Sequence, residues 1–516
     1  MNLFTQLQQI QPETGNAIRQ LTVNDALLIQ LYPNSLIFEE NVAYFMGKVE
    51  GEKYLWVLSD QSPSGPAEEF SGTVASLADG DGQLLRCSLN HHNATVLRAR
   101  FEFTRPELLG LDDSFGYGDR LGIANPAHVR AALQSHFKAI FAQQSIRELQ
   151  RTQRKPEEVM DAATWAVFQE GFRQGFGADA DHLKTTADID LMVAAGYTFF
   201  TIDPGEYVVN EADGLPIPAL EKEVQTLPWE ILNDQPESCI SRYAKKRFRI
   251  SSGFSIQPNS EQILRGLLKY GGVIAHTVKM YRYLKETYPD HPSEVELSVD
   301  ETESVTSPFE HFLVASELKR LGVQLISLAP RFVGEFEKGI DYKGDIELFK
   351  TEYLKHIQIA EKLGPYKISL HSGSDKFGVY AAIGSLRRGH VHVKTAGTSY
   401  LEALRTVAAA EPGLFREILD FSRGLYEQEK KTYHVSADLD KIRSAAEYSD
   451  PELLALFDEN DTRQVLHVTF GKVLTEIDEE GQSLFKDRIM KCLAENEEAH
   501  YDFLFKHFMR HLAPFG

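Results

Sequence analysis

Lys367-Ile368-Ser369-Leu370-His371-Ser372-Gly373-Ser374-Asp375-Lys376-Phe377-Gly378 is the stretch from which the rest of the chain can be read. Its first half alternates as a strand does, with Ile368 and Leu370 on one face and Lys367, Ser369 and His371 on the other. Its second half is small, polar and glycine-bearing, a loop that can approach a ligand closely. His371 therefore stands where a strand hands over to a loop. In a parallel α/β sheet or barrel, chemistry is placed at that end of the strand. A lone strand-end histidine is usually hydrogen-bonded in a core, but the same pattern recurs elsewhere in this chain.

Strands are expected at 115–121, 137–146, 177–185, 197–203, 294–300, 323–329, 366–371 and 390–394, with amphipathic helices between them. Those helices are read at 125–135, 156–174, 189–195, 308–321, 346–363 and 378–387. Residues 205–293 form one long connection with helices of its own at 260–270 and 276–288. Eight strands is the count of a closed (β/α)8 barrel of the TIM type. The rival, a doubly wound open sheet, usually carries a phosphate loop, and neither G-x-G-x-x-G nor G-x-x-x-x-G-K-[ST] occurs here.

The expected architecture has three parts. Residues 1–108 are an N-terminal β-rich region, 109–410 the α/β barrel with its insertion at 205–293, and 411–516 a mostly helical C-terminal extension. In the first part, 36–46 and 53–58 read as strands around a turn at Gly51, and 94–103 as another strand. Residues 60–66 and 78–82 read as loops, and His91 and His92 as lying on an exposed turn. In the last part, 464–471 interrupts the helical texture as a strand or buried loop.

The 516 residues, 42% apolar and 10% aromatic, belong to a folded globular protein. A net charge of −21 argues against nucleic acid and anionic membrane as partners, but leaves room for a small anion in a local basic pocket. The start of the chain lacks a signal-peptide layout and no run is long enough to span a membrane. Cys87, Cys239 and Cys492 have no paired spacing, so a reducing cytoplasm is the expected location. An oligomer is left open.

Nearly every expected barrel strand ends in polar groups. Asp119 and Arg120 end the first, Asp179, Asp181, His182 and Lys184 the third, and Asp203 the fourth. Asp300, Glu301 and Glu303 end the fifth, Arg331 follows the sixth, His371 ends the seventh and Lys394 the eighth. Buried barrel strands otherwise read as near-continuous apolar runs, so a shared site explains these ends better than seven separate rims. Two histidines among carboxylates are ligand types for Zn²⁺, Mn²⁺ or a similar divalent cation, although no short-range motif such as H-E-x-x-H is present. His182 and His371 are the expected metal ligands, with Asp300 or Glu303 completing the shell and Asp300 favoured by its inward register. Lys184, Arg331, Lys376 and Lys394, with Arg120, are the cations that could hold a substrate carboxylate or phosphate.

Three stretches carry a resemblance. They are Asp179-Ala180-Asp181-His182-Leu183-Lys184-Thr185, Leu328-Ala329-Pro330-Arg331-Phe332-Val333-Gly334, and residues 370–377 followed by His392-Val393-Lys394-Thr395-Ala396-Gly397-Thr398-Ser399. Together they resemble the tagaturonate epimerase family, also called tagaturonate/fructuronate epimerases, over about 115–469 and only loosely before that. The resemblance implies a metal-dependent epimerase of hexuronate breakdown that interconverts D-tagaturonate and D-fructuronate. It also implies that Asp181 and His182, the acidic cluster 300–303 and His371 are site residues.

The carbon that differs between these two sugars lies β to both the ketone and the carboxylate, so its C–H is acidified by neither. A retro-aldol cleavage and re-addition avoids that difficulty. Asp181 and Glu301, on different strands, are assigned to acid–base work on chemical grounds. The alternative, transient oxidation by a nicotinamide, lacks its glycine fingerprint, so no nicotinamide is expected. A metal-dependent aldolase or isomerase on a related sugar acid, or a non-catalytic sugar-acid sensor, would use a similar pocket.

Overall fold

The computed structural model describes residues 2–11, 18–59, 66–77 and 82–516. Its centre is a closed barrel of eight parallel strands: β1 (Ser114–Tyr117), β2 (Lys138–Ser145), β3 (Phe176–Leu183), β4 (Phe199–Ile202), β5 (Glu294–Val299), β6 (Ser327–Pro330), β7 (Lys367–Leu370) and β8 (Val391–Thr395). Closure is made by β8 on β1, where His392 pairs with Ser114 and Thr395 with Tyr117. All eight strands run the same way, so their C-terminal ends share one mouth.

The alternation read in β7 holds around the barrel. Outward positions such as Phe115, Ala178, Phe200, Leu297, Leu328, Ile368 and Val393 join one apolar cluster with the surrounding helices. Inward positions are polar or charged and still buried, among them Asp179, Thr201, Glu296, Lys367, His392 and Lys394. A barrel lumen is ordinarily filled by branched aliphatic side chains. Here it is filled by ionisable ones, which are tolerable in a dry interior only when paired. Space is also made for them: a Cβ on Gly116 would meet Oε1 of Gln143 at 1.5 Å.

Before the barrel lies an antiparallel sheet that includes Val42–Val49 and Glu52–Ser59, joined by Glu50 and Gly51. Both turn residues have positive φ (52° and 87°), as a two-residue hairpin requires. Tyr44, Met46, Leu55 and Val57 of this sheet pack with Trp165 and Phe168 of the helix Pro156–Gln169, which tie it to the barrel's outer layer. The C-terminal helix Glu497–Leu512 returns to the same junction. Its Glu497 is ion-paired with Lys53 at 2.8 Å and with Lys48, while Phe508 meets the rings of Phe115 and Tyr117. No helix among the described residues is long and apolar enough to cross a membrane.

Five expectations need correction. The strand read at 94–103 is instead the helix His91–Arg100, started by the Asn90 side chain accepting from the Asn93 amide at 2.9 Å. His91 and His92 are exposed, as expected, but lie in that helix's first turn. The helices read at 260–270 and 276–288 are one helix, Ser260–Thr287. Gly271 and Gly272 do not break it; they admit close neighbours, since added Cβ atoms would lie 2.7 Å from Leu227 and 2.9 Å from the Tyr207 carbonyl. The stretch 464–471 lies inside the helix Asn460–Thr475, whose residues 462–471 are all buried, so no apolar stripe marks its period. The helix read as 156–174 stops at Gln169, before Gly171 at φ 64°. Of the loops expected at 60–66 and 78–82, only residues 66 and 82 fall within the described residues.

Candidate active site

Lys394 projects from β8 into the lumen and gathers three carboxylates. Its Nζ lies 2.8 Å from Asp179, 2.7 Å from Asp181 and 3.0 Å from Glu296. Three acids around one ammonium leave an excess of negative charge, and that excess faces the mouth. There His182 and His371 stand with ring centroids 5.2 Å apart.

Each histidine has a carboxylate behind it and another in front. Nδ1 of His182 is 3.1 Å from Asp203, while its Nε2 is 3.8 Å from Asp181. Nε2 of His371 is 2.7 Å from Glu296, while its Nδ1 is 3.4 Å from Asp300. Donor atoms of Asp181, His182 and His371 all lie within 4.8 Å of one another. A carboxylate holding one ring nitrogen so that the other faces a shared point is the usual support of a metal-ligating histidine. Two imidazoles and a carboxylate are also a donor set suited to zinc or manganese. The residues present fit a divalent cation.

The backbone is shaped for this. Simple alternation would send Asp181 and His182 to opposite faces of β3. Instead the pairing with β4 shifts register between Ala180 and Leu183, and His182 takes φ 55°. A non-glycine residue in that region is uncommon and is held there by its surroundings, a frequent feature of functional sites. Ser372, the residue after His371, is likewise at φ 51°.

Electrostatics follow the geometry. Burial works against protonating His371, yet Asp300 and Glu296 carry its pKa up to about 9. Burial also opposes charge on His182, and Asp181 and Asp203 carry it up to about 10. Burial would raise Asp181, Glu296 and Asp300, but the imidazoles hold all three below the usual carboxylate range, joined by Lys394 at Asp181 and Glu296 and by the Ser298 hydroxyl at Asp300. The imidazoles and the carboxylates around them thus favour each other's charged forms.

Above this point the cavity has two parts. The inner one, about 40 Å³, is lined by Asp181, His182, His371 and Lys394 together with Arg147 and Lys338. The outer one, about 480 Å³, is bounded by Asp300, Glu301, Arg331 and Tyr433 and shares Arg147, Lys338 and His371 with the inner part. The outer volume is within the range of small-ligand pockets and suits a six-carbon molecule.

The structure thus brings together Asp181, His182, Asp300, Glu301, His371 and Lys394. Glu301 is at the wall, its side chain 45% exposed and 3.5 Å from Arg147. Arg331 reaches the outer rim, paired with Glu335 at 3.4 Å. Lys184 lies outside both parts, half exposed and 3.2 Å from Glu206. Lys376 turns away entirely: its Nζ is buried and donates to the carbonyls of Glu337, Ser374 and Ile340. Arg147 and Lys338 were not singled out from sequence. Arg147 follows the polar run Gln143-Gln144-Ser145 that ends β2, which is a usable signal. Lys338 sits in an aperiodic loop and offers none.

Known proteins resemble this chain in sequence and in fold. A family model for tagaturonate epimerase matches residues 32–515, so the likeness extends well beyond the stretches that first suggested it. The tagaturonate/fructuronate epimerase of Thermotoga maritima is 43% identical over 483 residues, covering 94% of this chain and 96% of that protein. Crystal structures of the fructuronate-tagaturonate epimerase UxaE from Cohnella laeviribosi, native and with one glycerol, superpose with a TM-score of 0.88 at 39% identity. Each covers 95% of this chain and 96% of its own. With the barrel, the flanking sheet and the C-terminal helices all matched, this chain belongs to the tagaturonate epimerase family, a family of isomerases.

Proposed function

We propose that the protein interconverts D-tagaturonate and D-fructuronate using a divalent cation held by Asp181, His182 and His371. The observation that carries this reading is the convergence of those three donors within 4.8 Å, each imidazole backed by its own carboxylate. The names of the Thermotoga and Cohnella relatives supply the substrate. Asp181 thereby takes a metal-holding role rather than the acid–base role its sequence position suggested. A carboxylate held this acidic by Lys394 and His182 is a good ligand and a poor base at neutral pH. Asp300, 3.4 Å from His371, is available as a further ligand on that side.

A bound cation supplies Lewis-acid polarisation of the substrate's ketone and neighbouring hydroxyl. The chain's own groups do the rest. Glu301, at the cavity wall, takes the proton from the hydroxyl on the inverting carbon. The electrons of that O–H bond form the aldehyde C=O, and those of the adjacent C–C bond pass into the other fragment as an enediolate. The aldehyde turns, the C–C bond re-forms on its opposite face, and the alkoxide recovers a proton. Both fragments must be kept from escaping meanwhile. The 205–293 connection is suited to help, since it packs beside the mouth: Asp213 accepts from Ser304 at 2.6 Å and pairs with Lys269 at 3.1 Å.

We read the location as cytoplasmic, supported by three free and buried cysteines. The experiment is direct. Purified protein is stripped with chelator, reloaded with Mn²⁺ or Zn²⁺, and given D-tagaturonate. D-fructuronate should appear only in the reloaded samples. Full conversion by stripped protein would remove the metal from this reading, and no conversion in any sample would remove the substrate.

A further inference from the structure

A keto-hexuronate differs from a neutral ketohexose by one carboxylate, so a site selective for the acid needs a cation with charge to spare. Most cations around this mouth have none. Lys394 is committed to three carboxylates, Arg120 to Glu148 at 2.8 Å, Arg331 to Glu335, Lys184 to Glu206 and Lys376 to three carbonyls. Lys338 is different. Its Nζ donates to the Ser372 hydroxyl at 2.6 Å, it has no carboxylate partner among the described residues, and it lines both parts of the cavity. Arg147 lines both parts as well and holds Glu301 only at 3.5 Å.

We propose that Lys338 and Arg147 form the subsite that binds the carboxylate of the sugar acid and so set the enzyme's preference for uronates over neutral sugars. The proposal rests on the epimerase reading above and names the substrate contact that reading leaves open. Its geometry is prepared in advance. The backbone on both sides of Lys338 is pinned: Lys376 donates to the Glu337 and Ile340 carbonyls, and Arg463 donates to the Gly339 carbonyl at 2.8 Å. The Lys338 amide itself donates to the His434 carbonyl at 3.3 Å. A cation fixed before the ligand arrives loses little freedom on binding it. Burial, followed by the neighbouring Arg147 charge, lowers the Lys338 pKa, as expected of an ammonium lacking an anion. Arg147 complements it with a planar fork, its guanidinium 5.3 Å from the centre of the Tyr433 ring.

The test uses metal-loaded full-length protein. It compares KM and kcat for D-tagaturonate with the inhibition constant of D-tagatose, the neutral counterpart. Lys338→Met should raise KM for the acid by about 10- to 100-fold, the range of a lost charge-assisted hydrogen bond. It should leave tagatose inhibition within about twofold and metal content unchanged. Lys338→Arg should recover most of the loss, and Arg147→Gln should share the pattern of Lys338→Met. Equal weakening for acid and neutral sugar, or unchanged KM in both Lys338→Met and Arg147→Gln, overturns the subsite. If wild-type protein fails to convert tagaturonate, the epimerase reading itself has failed, an outcome distinct from either.

Discussion

Nε2 of His371 lies 2.7 Å from Oε1 of Glu296, wholly inside the barrel. The contact fixes which ring nitrogen faces the mouth, and Lys394, 3.0 Å from the same oxygen, keeps Glu296 ionised. Glu296→Gln should therefore weaken metal binding by about 10- to 100-fold, the usual cost of losing a carboxylate behind a ligating histidine. Competition with a fluorescent chelator reads the affinity. Unchanged affinity would make Glu296 a partner of Lys394 alone.

Stability should depend on pH in a way that metal reverses. In metal-free protein His182 and His371 have pKa values of about 10 and about 9, against an ordinary 6.5. For groups raised on folding, the stabilisation is complete below about pH 6.5 and is lost as pH climbs through 9 to 10. Metal requires the imidazoles neutral, so its affinity rises across the same window. Melting temperatures of stripped protein should fall from pH 6.5 to pH 9.5 while the gap to loaded protein widens. A flat profile for stripped protein would contradict the charged pair.

Asp181 and Glu301 should part company on substitution. Asp181→Asn should lose both metal and turnover. Glu301→Gln should keep its metal yet lose turnover by about 10²- to 10⁴-fold, the range for a positioned acid or base. Metal analysis run beside rate measurements separates these outcomes. An Asp181→Asn variant that keeps its metal would return Asp181 to proton handling.

Lys376 should behave as scaffold. Lys376→Met strands three carbonyls, each costing about 1–3 kcal/mol if left unsatisfied. The melting temperature should drop, with Lys338 displaced along with its loop. Stability unchanged from wild type would show that those carbonyls find other partners.

How far the sequence could be read depends on what each residue's surroundings are made of. All eight strands were legible because apolar outward positions alternate with polar inward ones that stand out against them, as with Ile368 and His371. The joint placing of Asp181 and His182 was not, since it rests on one left-handed residue and a register shift that residue types do not announce. The helix Asn460–Thr475 was misread for the opposite reason: buried on every side, it has no stripe. Lys376 stood in a motif and attracted a substrate role, whereas Lys338 stood in none. What separates them is tertiary, because the loop of Lys338 is held by Lys376 and by Arg463, which lies 124 residues downstream of the carbonyl it meets.

The account turns on how the carbon inverts, and one experiment addresses that step. Metal-loaded protein converts D-tagaturonate in D₂O with isotopically labelled dihydroxyacetone present, and the recovered D-fructuronate is analysed by NMR and mass spectrometry. Cleavage and re-addition predict no deuterium on the inverted carbon, and label from dihydroxyacetone, the three-carbon enediolate fragment in its protonated form, only to the extent that a fragment leaves the site before the bond re-forms. Solvent deuterium on that carbon, with no label incorporated, would contradict it.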